Sequence, residues 1–127
     1  MRTAILIGSL LLPLLAHAST AQMDGTDLLR KCAPLWADGR ADVENSTERL
    51  DAGFCAGYVA GVTDAEAMWK AVEGKTSKAT HYCVPEGATT AQGLRIVKKW
   101  LNDNPDKLHW RADFIIHQAL LEAFPCK

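Results

Sequence analysis

The stretch Leu50-Asp51-Ala52-Gly53-Phe54-Cys55-Ala56-Gly57-Tyr58-Val59-Ala60-Gly61-Val62-Thr63-Asp64 combines an apolar pattern of helical period with glycines at every fourth position. This spacing places Gly53, Gly57 and Gly61 along nearly one stripe of a helix. A glycine in a helix interior costs about 1 kcal/mol relative to alanine. Three in register therefore predict a groove against which a neighbouring backbone or bulky side chain lies. The alternative is that these are tolerated glycines in an ordinary core helix.

This helix is predicted to run roughly from Thr47 to Glu73, with Ser46 or Thr47 as its N-cap and Gly74 just beyond its C-terminus. It is the longest predicted element, so we expect the other helices to pack around it. Before it lies a short helix over Asp27–Cys32, with capping residues supplied by the segment 24–26.

Two more helices are predicted after the central one. The first covers Thr90–Asn102 and opens with the capping box Thr89-x-x-Gln92, and the last covers about Trp110–Phe124. Their predicted apolar faces consist of Leu94, Val97 and Leu101 with Ile96 and Trp100 beside them, and of Phe114, Ile115, Leu120, Leu121 and Phe124. No segment shows the sustained alternation of apolar and polar residues that is typical of a β-strand. The predicted fold class is therefore all-α, a small bundle of about four helices.

The N-terminus has the pattern of a cleaved export signal. Arg2 precedes an apolar run that ends at Ala16-His17-Ala18, a small-residue cleavage site. We therefore expect residues 1–18 to be a signal peptide and residues 19–127 to form one helical domain. Removing Arg2 lowers the basic residues from 14 to 13 against 15 acidic ones, a net charge of −2. This balance, with no long basic run, argues against nucleic-acid binding.

All four cysteines, Cys32, Cys55, Cys83 and Cys126, follow the signal peptide. An even number in an exported chain indicates two disulfides. Short turns favour antiparallel helices, which would bring Cys83 beside Cys126 and let Cys32 meet Cys55. We predict these two pairs, and the other two connectivities stay possible in principle. Metal-ligand spacing is absent from the sequence, so we expect no metal site and no cofactor.

Catalytic motifs are also missing, since the sequence has no G-x-S-x-G, H-E-x-x-H or phosphate-binding glycine loop. For His81, His109 and His117 we expect surface or hydrogen-bonded structural roles. Asp64 is a candidate buried carboxylate on the central helix, although a single helical aspartate is more often solvated or hydrogen-bonded. The four tryptophans, at positions 36, 69, 100 and 110, are expected to pack in the core or at its rim. The sequence therefore predicts a protein that acts through its surface and is not an enzyme.

The motifs of the chain, taken in order, resemble a known family. They are Cys55-x-Gly57-Tyr58-x-x-Gly61-x-x-Asp64, then Cys83-Val84-Pro85, Thr90-Ala91-Gln92, Trp100-Leu101 with Pro105, and the closing Phe124-Pro125-Cys126. In these the chain resembles the Tai/Rap family of type VI secretion amidase immunity proteins over nearly the whole mature length. The resemblance implies a periplasmic, all-helical and commonly dimeric protein that binds a secreted peptidoglycan amidase effector and occludes its active-site cleft.

Recognition is expected on loops held by the rigid helices. The candidate segments are Lys75–Tyr82 and Asn102–Lys107, and the candidate partner-binding residues are Lys75, Lys78, His81, Asn104 and Asp106. Two other functions remain open from the sequence. One is a periplasmic stress chaperone of the small, helical, disulfide-bonded type, and the other is a small hydrolase that depends on Asp64 or His117.

Overall fold

The computed structural model describes residues 22–36, 45–73 and 81–126. The predicted signal peptide lies outside these ranges, as do residues 37–44 and 74–80. The helices are α1 (Gly25–Lys31), α2 (Ser46–Glu73), α3 (Thr90–Asp103) and α4 (Ala112–Ala123), with 3₁₀ turns at Ala33–Leu35 and Pro105–Lys107. The described ranges contain no strand, so the predicted all-α bundle of four helices is confirmed. In the same ranges no helix has the length and apolar content needed to cross a membrane.

Polar side chains fix where the helices begin. Asp24 accepts a hydrogen bond from the backbone N–H of Asp27 at the start of α1, over 2.9 Å. Thr89 does the same for Gln92 at the start of α3, as the capping box predicted. Asn45 accepts from the N–H of Glu48 over 3.0 Å. Asn45, and not Ser46 or Thr47, therefore carries the capping interaction of the long helix α2.

The core lies where α1, α2, α3 and α4 meet. Buried positions on α4 recur at the helical spacing i, i+3, i+4, i+7 and i+8, and they are Ala112, Ile115, Ile116, Ala119 and Leu120. From α3 the predicted face of Leu94, Val97 and Leu101 is buried, together with Trp100. Phe114 was predicted to lie on the apolar face of the last helix. This prediction is wrong, because Phe114 is 50% exposed. The buried stripe of α4 passes through Ile115 and Ile116, and Phe114 lies on nearly the opposite side of the helix.

Two disulfides hold the bundle together, and both predicted pairs are confirmed. Cys32 joins Cys55 and ties the end of α1 to the first half of α2, with Cα atoms 5.2 Å apart. Cys83 joins Cys126 and ties the segment before α3 to the end of the chain, with Cα atoms 4.9 Å apart. Next to the second bridge, the N–H of Cys83 donates to the carbonyl of Phe124 over 2.7 Å. The covalent links thus fasten both ends of the helical region.

The glycine stripe of α2 differs from the prediction. Gly53, Gly57 and Gly61 are exposed, and a Cβ atom added at any of them would meet nothing within 4 Å. The expectation that another part of this chain packs against the stripe is therefore wrong for the described residues. The helix buries its opposite side instead, through Ala52, Cys55 and Val59. Gly25 is the glycine that makes close contact, since a Cβ there would lie 2.8 Å from Cδ1 of Ile115.

Candidate protein-binding surface

An open concavity of about 1120 Å³ lies between the outer part of α2 and the start of α4. From α2 it is lined by Gly57, Tyr58, Gly61, Val62, Ala65, Glu66 and Trp69, and across from them by residues 109–111, 113, 114 and 117. Gly57 and Gly61 form part of its floor because they lack side chains to fill it. Its walls are mainly apolar, which suits contact with another protein more than polar chemistry.

Aromatic rings form the wall on the α4 side. The centroids of Trp110 and Phe114 are 5.4 Å apart in an edge-to-face arrangement. Trp110 also lies 6.2 Å from the ring of Trp100, which is buried beneath it. The ammonium group of Lys107 sits over both indoles, 5.4 Å from the centroid of Trp100 and 5.6 Å from that of Trp110. This cation and aromatic stack fixes the 3₁₀ turn at Pro105–Lys107 against the body of the bundle.

A charged pair stands at the rim where α4 begins. Nε of Arg111 donates to Oδ1 of Asp113 over 3.0 Å, and the second guanidinium nitrogen donates to Oδ2. The hydrogen bond from Arg111 lowers the pKa of the Asp113 carboxyl. Burial raises the pKa of the Tyr58 phenol, which lines the same concavity. Asp113 is thus ionised and Tyr58 neutral at neutral pH.

A buried carboxylate, Glu66, lies at the other end of the lining. Its Oε1 accepts a hydrogen bond from Nδ1 of His81 over 2.8 Å and from the backbone N–H of Tyr82 over 3.3 Å. Its Oε2 lies 3.5 Å from Nε2 of His117 on α4, and the ammonium group of Lys70 lies 3.9 Å from Oε1. Glu66 therefore links α2, α4 and the segment that leads to Cys83.

Asp64 is exposed, as is more common for an aspartate on a helix, and the buried carboxylate of α2 is Glu66, which is 7% exposed. A signal for Glu66 exists in the sequence. Position 66 continues the buried helical stripe of Cys55 and Val59 by two further turns. A carboxylate on that stripe has to find hydrogen-bond partners in the core, and histidines elsewhere in the chain can supply them.

The five predicted partner-binding residues differ in burial and in the contacts that they make. Lys75 and Lys78 lie outside the described residues. His81 is buried, and its Nε2 lies 3.1 Å from Oε2 of Glu73, so its ring is held between two carboxylates. That arrangement gives His81 the hydrogen-bonded structural role expected of the histidines.

The other two residues flank the turn at Pro105–Lys107. Nδ2 of Asn104 donates to the carbonyl of Trp100 over 2.9 Å, and its Oδ1 accepts from Lys107. Asp106 is exposed at the tip of the same turn. Asn104 therefore shapes this loop, whereas Asp106 presents its carboxylate to solvent.

The bundle, its disulfides and its apolar concavity define a small binding protein held rigid by covalent links. Over residues 24–126 the chain matches the family described as Rap1a immunity proteins. It belongs to this family of immunity proteins, whose members bind a secreted effector protein. Searches of curated proteins and of solved structures found no match.

Proposed function

We propose that this chain is exported to the periplasm, binds a secreted peptidoglycan amidase and inhibits it by covering the cleft in which the amidase cleaves its substrate. The observation that carries the proposal is the match to the Rap1a immunity proteins over residues 24–126. Family members are periplasmic in general and are not enzymes as a rule, which supports a role carried out by binding alone. We also propose that the protein acts as a homodimer.

The proposed inhibitory contacts are the loops at residues 75–82 and 102–107. The described end of the first segment is anchored, and so is the second segment. At the first, His81 and Tyr82 bond to Glu66, and Cys83 is covalently tied to Cys126. At the second, the N–H of Lys107 donates to the carbonyl of Asn104 over 3.0 Å. A loop with fixed ends loses less conformational entropy on binding, which favours a tight inhibitor.

The test is a titration of the mature protein into a secreted peptidoglycan amidase encoded beside its gene, followed by release of peptidoglycan fragments. The proposal predicts a stable complex and loss of cleavage once the inhibitor reaches the amidase concentration. Cleavage that continues at full rate under excess inhibitor would remove the amidase from the proposal and leave the family membership intact.

Charge reversal at the loops locates the contact. Asp106→Lys, Lys75→Glu and Lys78→Glu should each weaken inhibition, because each inverts a charge at the proposed interface. The matched control is Glu122→Lys, which inverts an exposed charge at the far end of α4. Equal inhibition by all four variants would place the contact elsewhere. A chaperone, in contrast, would suppress aggregation of unrelated proteins, and we expect no such activity.

A further inference from the structure

The outward face of α2 carries large apolar side chains at both ends and small residues in the middle. Leu50, Phe54, Met68, Trp69 and Val72 are between 45% and 73% exposed. Between them lie Gly57, Gly61 and Ala65, which are exposed as well. The buried residues of α2 lie on its opposite side, and a Cβ added at Gly57 or Gly61 would meet nothing within 4 Å. On this face the ammonium group of Lys31 approaches the ring of Phe54, 5.1 Å from its centroid, and leaves the residue 45% exposed.

We propose that this face binds the same face of a second copy, with the two α2 helices antiparallel and a two-fold axis beside Gly61. A two-fold interface requires a surface that is complementary to itself. When two identical helices cross antiparallel at residue 61, each layer of the contact pairs two positions equally distant from residue 61. Leu50 then shares a layer with Val72 of the second copy, and Phe54 shares one with Met68.

The small residues follow the same symmetry. Gly57 shares a layer with Ala65 of the second copy, and Gly61 meets Gly61 on the axis. The helix backbones can approach closely there, since a Cβ at Gly57 or Gly61 would have open space in the single chain. Close approach in the middle lets the large side chains at both ends reach their partners. These pairs are symmetric about Gly61, and close approach of the backbones gives Gly57 and Gly61 a reason. Trp69 is the exception to the symmetry, because it shares its layer with Gly53 of the second copy.

The available area suits a second copy. A large apolar side chain that is about half exposed presents on the order of 100 Å². The five large side chains and the small residues between them offer roughly 600 Å² per copy, and each partner in a standard interface contributes about 800 Å². Trp110 and Phe114, on the neighbouring wall of the concavity, can supply the remainder. This inference specifies the interface of the homodimer in the proposed function and does not depend on effector inhibition.

The test mixes two single variants of the full mature chain, Phe54→Cys and Met68→Cys, under mild oxidation. The two positions lie about 21 Å apart along one helix. The proposed register therefore predicts a cross-linked dimer in the mixture and little cross-linking of either variant alone. Efficient cross-linking of Phe54→Cys to itself indicates parallel packing and overturns the proposal.

Sedimentation velocity on the unmodified protein provides the second readout. We expect a dimer, and Met68→Asp should convert it to a monomer with unchanged helical circular dichroism. Val84→Asp is the matched control, because Val84 is 43% exposed but lies outside α2. A wild-type protein that stays monomeric at its highest soluble concentration overturns the interface. A Met68→Asp variant that remains dimeric but no longer binds the effector also overturns the proposed interface, because this face of α2 would then contact the effector and not a second copy. Failed amidase inhibition by an intact dimer overturns the proposed function alone.

Discussion

The Nδ1 atom of His81 lies 2.8 Å from Oε1 of the buried Glu66, and this pair joins the segment before Cys83 to the C-terminal half of α2. On the other side of the imidazole, Nε2 lies 3.1 Å from Oε2 of Glu73. The ammonium group of Lys70 donates to the carbonyl of Tyr82, which follows His81 in the chain. Charged groups of α2 therefore hold the start of this segment in place.

This pairing makes stability depend on pH. The hydrogen bond from His81 to Glu66, with the bond to Glu73 acting in the same direction, raises the pKa of His81 above its ordinary value. A histidine whose pKa is raised by folding stabilises the native state below its unfolded pKa of about 6.5. The contribution disappears as pH rises through the folded pKa. The free energy of unfolding should therefore fall above neutral pH.

Urea unfolding of the wild type and of His81→Gln, across a series of pH values, measures this effect. The variant has no imidazole at position 81, so its curve should lack the part of the decline that comes from His81. Parallel pH curves for the two proteins would show that the pair with Glu66 does not stabilise the fold.

Gly25 and Gly53 should respond in opposite directions to substitution by alanine. At Gly25 the new methyl group would lie 2.8 Å from Cδ1 of Ile115 and 2.9 Å from the carbonyl oxygen of Leu108. Gly25→Ala should therefore cost about 1–3 kcal/mol, as overpacking does. Gly53→Ala has open space and should stabilise α2 by up to about 1 kcal/mol. Chemical denaturation measures both, and a neutral Gly25→Ala would contradict the close contact.

Ile115 and Phe114 are adjacent on α4 and differ in burial. Ile115 is fully buried, so Ile115→Ala should cost about 2–5 kcal/mol from lost burial and the cavity left behind. Phe114 is half exposed, and Phe114→Ala should cost distinctly less despite its larger side chain. Thermal unfolding of the two variants at equal concentration makes the comparison. A larger loss for Phe114→Ala would restore the predicted core position of Phe114.

The two disulfides should be reduced in a defined order. Cys32 and Cys55 are fully buried, whereas Cys83 is exposed and Cys126 is half-buried. A reductant reaches the second bridge directly but needs an opening of the core to reach the first. Mild reduction followed by alkylation and peptide mapping should therefore label Cys83 and Cys126 first. Loss of that bridge should cost about 4 kcal/mol on the chain-entropy argument. Earlier labelling of Cys32 would contradict the burial of that pair.

Much of the fold could be predicted because it depends on local signals. The capping residue Thr89 and the glycine-rich helical pattern predict helices, and the even number of cysteines together with short turns predicts both disulfides. The exposure of Gly53, Gly57 and Gly61 could not be predicted. Helical spacing defines a stripe, but whether that stripe is covered depends on how distant elements pack.

The candidate site was harder to predict than the fold. His81 and Glu66 are 15 positions apart and belong to different elements, so their contact arises from tertiary packing. The sequence places His81 in a polar segment. Its burial depends on its contacts with the carboxylates of Glu66 and Glu73, which the sequence does not show. Phe114 was assigned to the core from its apolar character, which says little about position around a helix when its neighbours Ile115 and Ile116 are apolar too.

The central claim is the proposal that this immunity protein binds a peptidoglycan amidase and covers its active-site cleft. Isothermal titration calorimetry of the mature protein with any secreted peptidoglycan amidase found to be encoded beside its gene, with cleavage followed in the same samples, tests it most directly. The account predicts saturable binding and a parallel loss of peptidoglycan cleavage. Absence of heat and of any complex, together with undiminished cleavage, would contradict it.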